Sequence, residues 1–590
     1  MRKFVGRVLA LIGALTLGLI VLVFVVATFA RSGKGTVPGK TVLELRLEGP
    51  LRETEPEDPL AKLLGKDQPV LRDVIEALEK GRDDSRVVGL IATLGAAPMS
   101  MAEVQELRDA IQNFRSAKKF AVAFSETFGE FGPGNGAYYL ATAFDEIYLQ
   151  PSGDVGLTGL RAEGMFLRGA LDKLGAVPQF GKRYEYKSAA EMYTEKQFTA
   201  PARESMDVLL GSIYGQLAKG IAAGRKLDEG ATLKLAGSGP YLGEEAVRQH
   251  LVNGLAYRDE VYDRVKARVE GSQLLFVDKY LERVGRPHTK GPVVALIHGV
   301  GPVMRGASDF NPFEGDTTMG SDTVTRAFRD AIKDKDVKAI LFRVDSPGGS
   351  AVASDSIWRE TQNAKRAGKP VIVSMGGVAA SGGYYVAMGA DKIVAQPATI
   401  TGSIGVLGGK VVTRESFGKL GITFDSVEKG DHAGMFSANQ EFKPEEWERF
   451  NASLDRIYQE FIMKVAEGRK MTKEKVHEMA KGRVWTGEDA KRLGLVDELG
   501  GYPVALKLVK QAIKAEGDVT LRQYPKKKTT LEAVMAQLNG DERDSSEVAA
   551  AAMLRHMVKL RPVVKALETV QPQRAVDPNV LALPMMRLTP

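Results

Sequence analysis

Two short stretches hold residues that could form and stabilise a covalent intermediate. Ser381 stands in Ala379-Ala380-Ser381-Gly382-Gly383, after the strand-like Pro370 to Met375 and before the helical Tyr384 to Gly389. A strand-to-helix turn among small residues exposes a hydroxyl. The helix N-terminus behind it offers backbone N–H groups and a dipole that favours developing negative charge. That suits a nucleophile, although serine at such a position can also simply cap the helix. The second stretch, Asp345-Ser346-Pro347-Gly348-Gly349, follows the strand-like Val337 to Val344. Its glycines let backbone approach a ligand closely, so its N–H groups could complete an oxyanion hole. A tight βα turn needs Pro and Gly for geometric reasons as well. Cysteine is absent, which removes disulfides, thiolate zinc sites and a cysteine nucleophile.

The elements that must position these residues occur twice. Asn135 to Gly159 and Ser381 to Gly405 match at an offset of 246, with ten of twenty-five positions identical, among them Tyr138/Tyr384, Asp145/Asp391 and Pro151/Pro397. Average residue frequencies would give about one or two matches. Upstream the offset is 250, pairing Val74 with Val324 and Val87 with Val337; downstream Gly243 and Glu244 correspond to Gly487 and Glu488. Each copy therefore exceeds two hundred residues and is a domain rather than a short repeat unit. Within each copy β-branched runs alternate with helical patterns: Val87 to Leu94 then Met101 to Phe114, and Val337 to Val344 then Ala353 to Arg366. This alternation predicts βαβ units on a mostly parallel sheet. Arg203 to Arg225 and Pro444 to Lys470 read as long amphipathic helices.

The copies differ where chemistry is at stake. The first has Asn135 in place of Ser381, and Leu94-Gly95-Ala96-Ala97 in place of the Pro-Gly-Gly turn. The asymmetry reverses at Lys187, in Tyr184-Glu185-Tyr186-Lys187-Ser188-Ala189, which faces Ala433 in the second copy. By type alone a lysine is a solvated surface cation.

Length and charge bound the remaining possibilities. At 590 residues two or more domains are expected, and 44% hydrophobic with 26% charged residues is ordinary for a water-exposed globular chain. The net charge of +7 is small for this length and forms no basic stripe apart from Arg522 and Lys526 to Lys528, so no nucleic-acid partner is expected. Val8 to Ala30 is uncharged, long enough to span a bilayer, and preceded by Arg2, Lys3 and Arg7. An uncleaved, N-in membrane anchor is expected; the alternative is a signal peptide cleaved near Thr28 to Ala30.

Together, Ser346-Pro347-Gly348-Gly349, Ala380-Ser381-Gly382-Gly383-Tyr384-Tyr385, the run from Asp391 to Thr401-Gly402-Ser403-Ile404-Gly405, and Tyr186-Lys187-Ser188-Ala189 resemble the signal peptide peptidase A family in its long two-domain form. The resemblance implies an α/β fold of tandem duplicated crotonase/Clp-protease-like domains behind an N-terminal transmembrane helix. The expected divisions are an anchor at 1–34, a first repeat at 40–270, a linker at 271–291, a second repeat at 292–520 and a basic C-terminal extension at 521–590. It implies a serine endopeptidase that degrades signal-peptide remnants and other apolar peptides. Such an enzyme would be a homotetramer on the bacterial inner membrane, facing the periplasm, with no cofactor or metal. By motif the nucleophile maps onto Ser381, the general base onto Lys187, and the oxyanion donors onto the backbone of Gly348 or Gly349 and of Gly382.

A lysine base must be neutral, while a free lysine has a pKa near ~10.4. Burial between the domains would lower it, since desolvation penalises the ammonium. Among the six histidines, His432 falls opposite Tyr186 and is a minor candidate, whereas His298, beside a strand, reads as structural. Two other classes stay open: a catalytically degenerate membrane scaffold that binds peptides, and an acyl-CoA enzyme using the same oxyanion geometry.

Overall fold

The computed structural model describes residues 35–54, 68–95, 98–309, 317–526, 580–581 and 587–589. The anchor expected over Val8 to Ala30 lies outside them, and among the described residues no helix is long and apolar enough to cross a membrane.

The first repeat runs β1 (Thr41–Leu47), α1 (Leu71–Asp83), β2 (Val87–Leu94), α2 (Met101–Arg115), β3 (Phe120–Ser125), α3 (Asn135–Ala141), β4 (Glu146–Leu149), β5 (Val177–Arg183), α4 (Ala200–Arg225), β6 (Gly254–Leu255), α5 (Arg258–Arg268), β7 (Gln273–Phe276) and α6 (Val277–Val284). The second contains β8 (Val293–Val300), α7 (Ser321–Lys333), β9 (Val337–Ser346), α8 (Ala351–Arg366), β10 (Val371–Ala380), α9 (Gly382–Ala387), β11 (Lys392–Ala395), β12 (Ile400–Gly402), β13 (Val406–Val412), α10 (Pro444–Arg469), β14 (Val484–Thr486), α11 (Tyr502–Ala512) and β15 (Thr520–Tyr524). The first sheet is parallel in the order β7-β1-β2-β3-β4-β6. The second, β14-β12-β10-β9-β8-β15, is parallel except for antiparallel β14. Helix starts follow their caps: Ser100 and Glu103 form a capping box on α2, and Ser350, its counterpart at the offset of 250, caps α8.

Side chains alternate across each strand, so both faces of each sheet need cover. Val42, Ile91 and Val122 pack under Val261 and Val265 of α5. On the other face Leu43, Leu90 and Ala92 join Val74 and Leu107 of α1 and α2 in one core with Leu296, Leu341 and Ile372 of the second sheet and Leu506 and Val509 of α11. The outer face of the second sheet, with Ile340, Phe342 and Val373, packs against Val324, Phe328 and Ile357. The two repeats thus share a core rather than merely touching.

Two expected boundaries move. Much of the stretch 271–291, expected as a linker, is β7 and α6: β7 pairs parallel with β1, and Val277, Tyr280 and Leu281 are buried at helical spacing. Likewise β15 runs past residue 520, pairing parallel with β8. Each repeat closes its sheet by laying its last strand beside its first, which local composition does not reveal.

Candidate active site

Ser381 follows β10, which is central in its sheet and flanked by β9 and β12. Its backbone turns sharply, with φ 54° and ψ −115°, a conformation that non-glycine residues adopt only where the surroundings enforce it. The Ser381 N–H donates to Gly402 O at 2.8 Å, and its carbonyl accepts from Tyr385 N–H at 2.8 Å. Its hydroxyl makes no capping bond to α9. Instead Oγ lies 2.8 Å from Lys187 Nζ, so the capping alternative does not describe this serine.

Lys187 arrives from the first repeat by a ladder between the domains. β5 pairs antiparallel with β13 from Val177↔Val412 to Arg183↔Val406. Arg183 is further held by Asp455 of α10 at 2.5 Å. Beyond it the Tyr186 N–H donates to Lys481 O at 3.1 Å, and Gly482 lies so close that a Cβ there would stand 2.5 Å from Lys187 N. Lys187 is 0% exposed, and burial alone pushes its ammonium down to about 7.

Besides Ser381, Nζ lies 2.9 Å from Ser403 O and 3.0 Å from Ser403 Oγ. A neutral amine has two N–H groups and one lone pair. If both N–H groups donate to Ser403, the lone pair faces the Ser381 hydroxyl, and a proton taken there would find two acceptors already holding the resulting ammonium.

The Pro-Gly-Gly loop packs against Gly382, the residue after Ser381. A Cβ on Gly382 would stand 3.0 Å from Gly349 N and 3.2 Å from Gly348 Cα, so the two backbone segments are in contact. Gly348 and Gly349 have φ of 105° and 155°, which favour glycine.

The structure therefore brings together Ser381, Lys187, Gly348, Gly349 and Gly382. His432 is not among the Lys187 partners; its Nδ1 is 3.8 Å from Glu446. His298 lies in β8, with Nε2 3.3 Å from Tyr502 Oη. Ser403 was missed as an individual residue, although it sits in the Thr401-Gly402-Ser403 motif. Its signal was available in the duplication, where the offset of 246 places apolar Leu157 opposite it.

The model of peptidase family S49 matches residues 115–271 and 363–516, one stretch in each repeat. The chain belongs to this family. Protease 4 of Haemophilus influenzae is 31% identical over 88% of this chain and 88% of its own length. Protease 4 of Salmonella typhi is 33% identical over 85% of this chain and 80% of its own. The chloroplastic serine protease SPPA of Arabidopsis thaliana is 33% identical over 78% of this chain and 68% of its own. A solved ClpP1 mutant from Listeria monocytogenes overlaps 36% of this chain and 93% of its own at TM-score 0.23 and 15% identity, too slight a likeness to build on. As an S49 member the chain is a serine peptidase with a duplicated α/β architecture.

Proposed function

We propose that this S49 peptidase is a Ser-Lys endopeptidase that cleaves apolar, extended peptides through an acyl-enzyme, with Ser381 as nucleophile and Lys187 as general base. The observation that carries this reading is the 2.8 Å contact between Lys187 Nζ and Ser381 Oγ. A lysine lowered to about 7 is matched to proton transfer near neutral pH. In the first step Lys187 takes the Ser381 proton as Oγ attacks the scissile carbonyl. The oxyanion is received by backbone N–H groups of Gly382 and of Gly348 or Gly349. The Lys187 ammonium, held by Ser403, then protonates the departing amine. Neutral once more, Lys187 activates the water that releases the acyl group.

The substrate class, remnants of signal peptides, follows from the resemblance alone. So do the homotetramer and the placement on a bacterial inner membrane with the catalytic region facing the periplasm, to which the apolar run Val8 to Ala30 lends support. The experiment is cleavage of an apolar peptide by the full-length chain, combined with fluorophosphonate labelling. Wild type should cleave and label at Ser381, Ser381→Ala should do neither, and Lys187→Ala should not cleave. Cleavage that survives Lys187→Ala removes the dyad. Peptide binding without labelling favours the degenerate scaffold.

A further inference from the structure

Four carboxyl groups gather where the repeats meet: Glu53, Glu103 and Glu106 from the first and Asp345 from the second. The guanidinium among them, Arg343 of β9, has a fully buried side chain. Its Nε and Nη2 donate to the two Glu53 oxygens at 2.9 and 2.6 Å, and Nη2 also donates to Glu106 at 2.9 Å. Tyr502 covers the guanidinium, with Arg343 Cζ 4.5 Å from its ring centroid, and donates its backbone N–H to Glu106 at 2.7 Å.

Asp345, two residues along β9, does something different. The β9–β10 ladder breaks register here: Val344 pairs with Met375, but Ser346 pairs with Ala379. Three residues, Gly376 to Val378, therefore face the single residue Asp345, so the regular ladder is interrupted at this point. Asp345 Oδ1 accepts from the Val378 N–H at 2.9 Å. The first repeat closes over the same bulge, for a Cβ on Gly377 would stand 2.7 Å from Ser100 Oγ. Ser346-Pro347-Gly348-Gly349 starts one residue after Asp345, and Ser381 follows three residues after Val378.

We propose that Asp345 is a positioning residue of the proteolytic site: its carboxyl accepts from the Val378 N–H where the ladder is interrupted and so fixes the Gly348–Gly349 loop relative to Ser381. This rests on the reading that the loop receives the oxyanion. The surrounding charges suit such a role. Burial and then Glu53 push the Asp345 carboxyl up to about 6; burial, Glu53 and Asp345 push Glu103 up to about 7; Arg343 opposes the rise at Asp345. A protonated carboxyl still offers its carbonyl oxygen to the Val378 N–H, so the clamp needs an acceptor and not a charge.

The test is steady-state cleavage of an apolar peptide by the full-length chain, with affinity for a peptide boronate measured in parallel. A misplaced oxyanion site lowers transition-state binding selectively, and misplacement of about 1 Å can cost about 100-fold. In Asp345→Ala, kcat is expected to fall about 10- to 100-fold with KM changed less than about twofold, and boronate affinity to fall in step with kcat. Asp345→Asn keeps an acceptor oxygen and should hold kcat within about threefold of wild type. Hydrogen exchange at the Val378 amide should quicken in Asp345→Ala and not in Asp345→Asn, a readout independent of turnover. Unchanged kcat in Asp345→Ala, a rise in KM alone, or equal damage in both variants overturns the proposal. A wild-type chain that does not cleave, or a Ser381→Ala chain that does, refutes the proteolytic reading itself and this inference with it.

Discussion

At the turn into its third helix the first repeat carries Asn135 where the second carries Ser381, and both residues are fully buried. The Asn135 amide donates to Gly159 O at 3.0 Å, whereas the Ser381 hydroxyl meets Lys187. The same contrast recurs at three more equivalent positions. Leu157 faces Ser403, Thr93 faces Arg343, and Gly95 faces Asp345. At Leu157 and Gly95 the first repeat has apolar or small residues where the second has polar or charged ones, and at Thr93 a neutral residue where the second has Arg343. The first repeat's own contribution is Lys187, opposite Ala433. On the proposed reading, two copies of one fold divide a single site, and the shared core holds the halves together. Burial between the repeats pushes the Lys187 ammonium down to about 7, as the proposed base requires.

The largest expected effect tests this division directly. Ser381→Ala or Lys187→Ala should lower kcat/KM by about 10⁴-fold or more, while Asn135→Ser in the first copy should leave it unchanged, measured on an apolar peptide. Activity created in a Ser381→Ala background by Asn135→Ser with Ala433→Lys would break the comparison. Next is the join. Arg343→Met leaves Glu53 and Glu106 without their cation and should destabilise the chain by about 3–5 kcal/mol, seen as a lower denaturant midpoint; Thr93→Val at the equivalent position should cost far less.

Lys187→Met should do the opposite. The amine is lowered from 10.5 to about 7 on folding, so between those pH values the unfolded chain binds the extra proton and stability rises with pH. Removing the amine abolishes that slope and should stabilise the chain at pH 7 by on the order of 2–4 kcal/mol, less the bonds lost at Ser403. An unchanged thermal midpoint would argue against a buried amine. Ser403→Ala should lower kcat about tenfold by releasing the lysine's orientation, with KM nearly constant. The smallest effect concerns Glu103, whose folded-state value is raised from 4.5 to about 7. Its stabilising contribution is full below about 4.5 and lost as pH rises through about 7, so Glu103→Gln should flatten the thermal midpoint over that window.

Much of the fold could be read locally. Val87 to Leu94 is a strand over those residues, α2 and α8 agree with their helical patterns to within a residue or two, and α10 starts at Pro444 as expected. The strand-turn-helix around Ser381 was equally plain, because each of its parts is short-range. Less accessible were the closing strands β7 and β15, whose partners lie more than two hundred residues away in sequence. Ser403 and Asp345 went unassigned because a serine in a glycine-rich turn and an aspartate after a strand have ordinary local explanations. Only the lysine above one and the strand bulge beside the other give them work.

The opening pair shows where the line falls. Residue type, small-residue surroundings and the duplication marked Ser381 as a candidate nucleophile at a turn and Lys187 as belonging to one copy alone, because these depend on local geometry and on counting positions; that the serine is fully buried came only from the fold. What local pattern could not decide was the state of the lysine. On a surface it would be a cation of no catalytic use; the ladder between β5 and β13 and the close approach of Gly482 place it at 0% exposure, 2.8 Å from a hydroxyl. Desolvation, a property of the assembled structure, is what lowers its pKa to the range the proposed base requires.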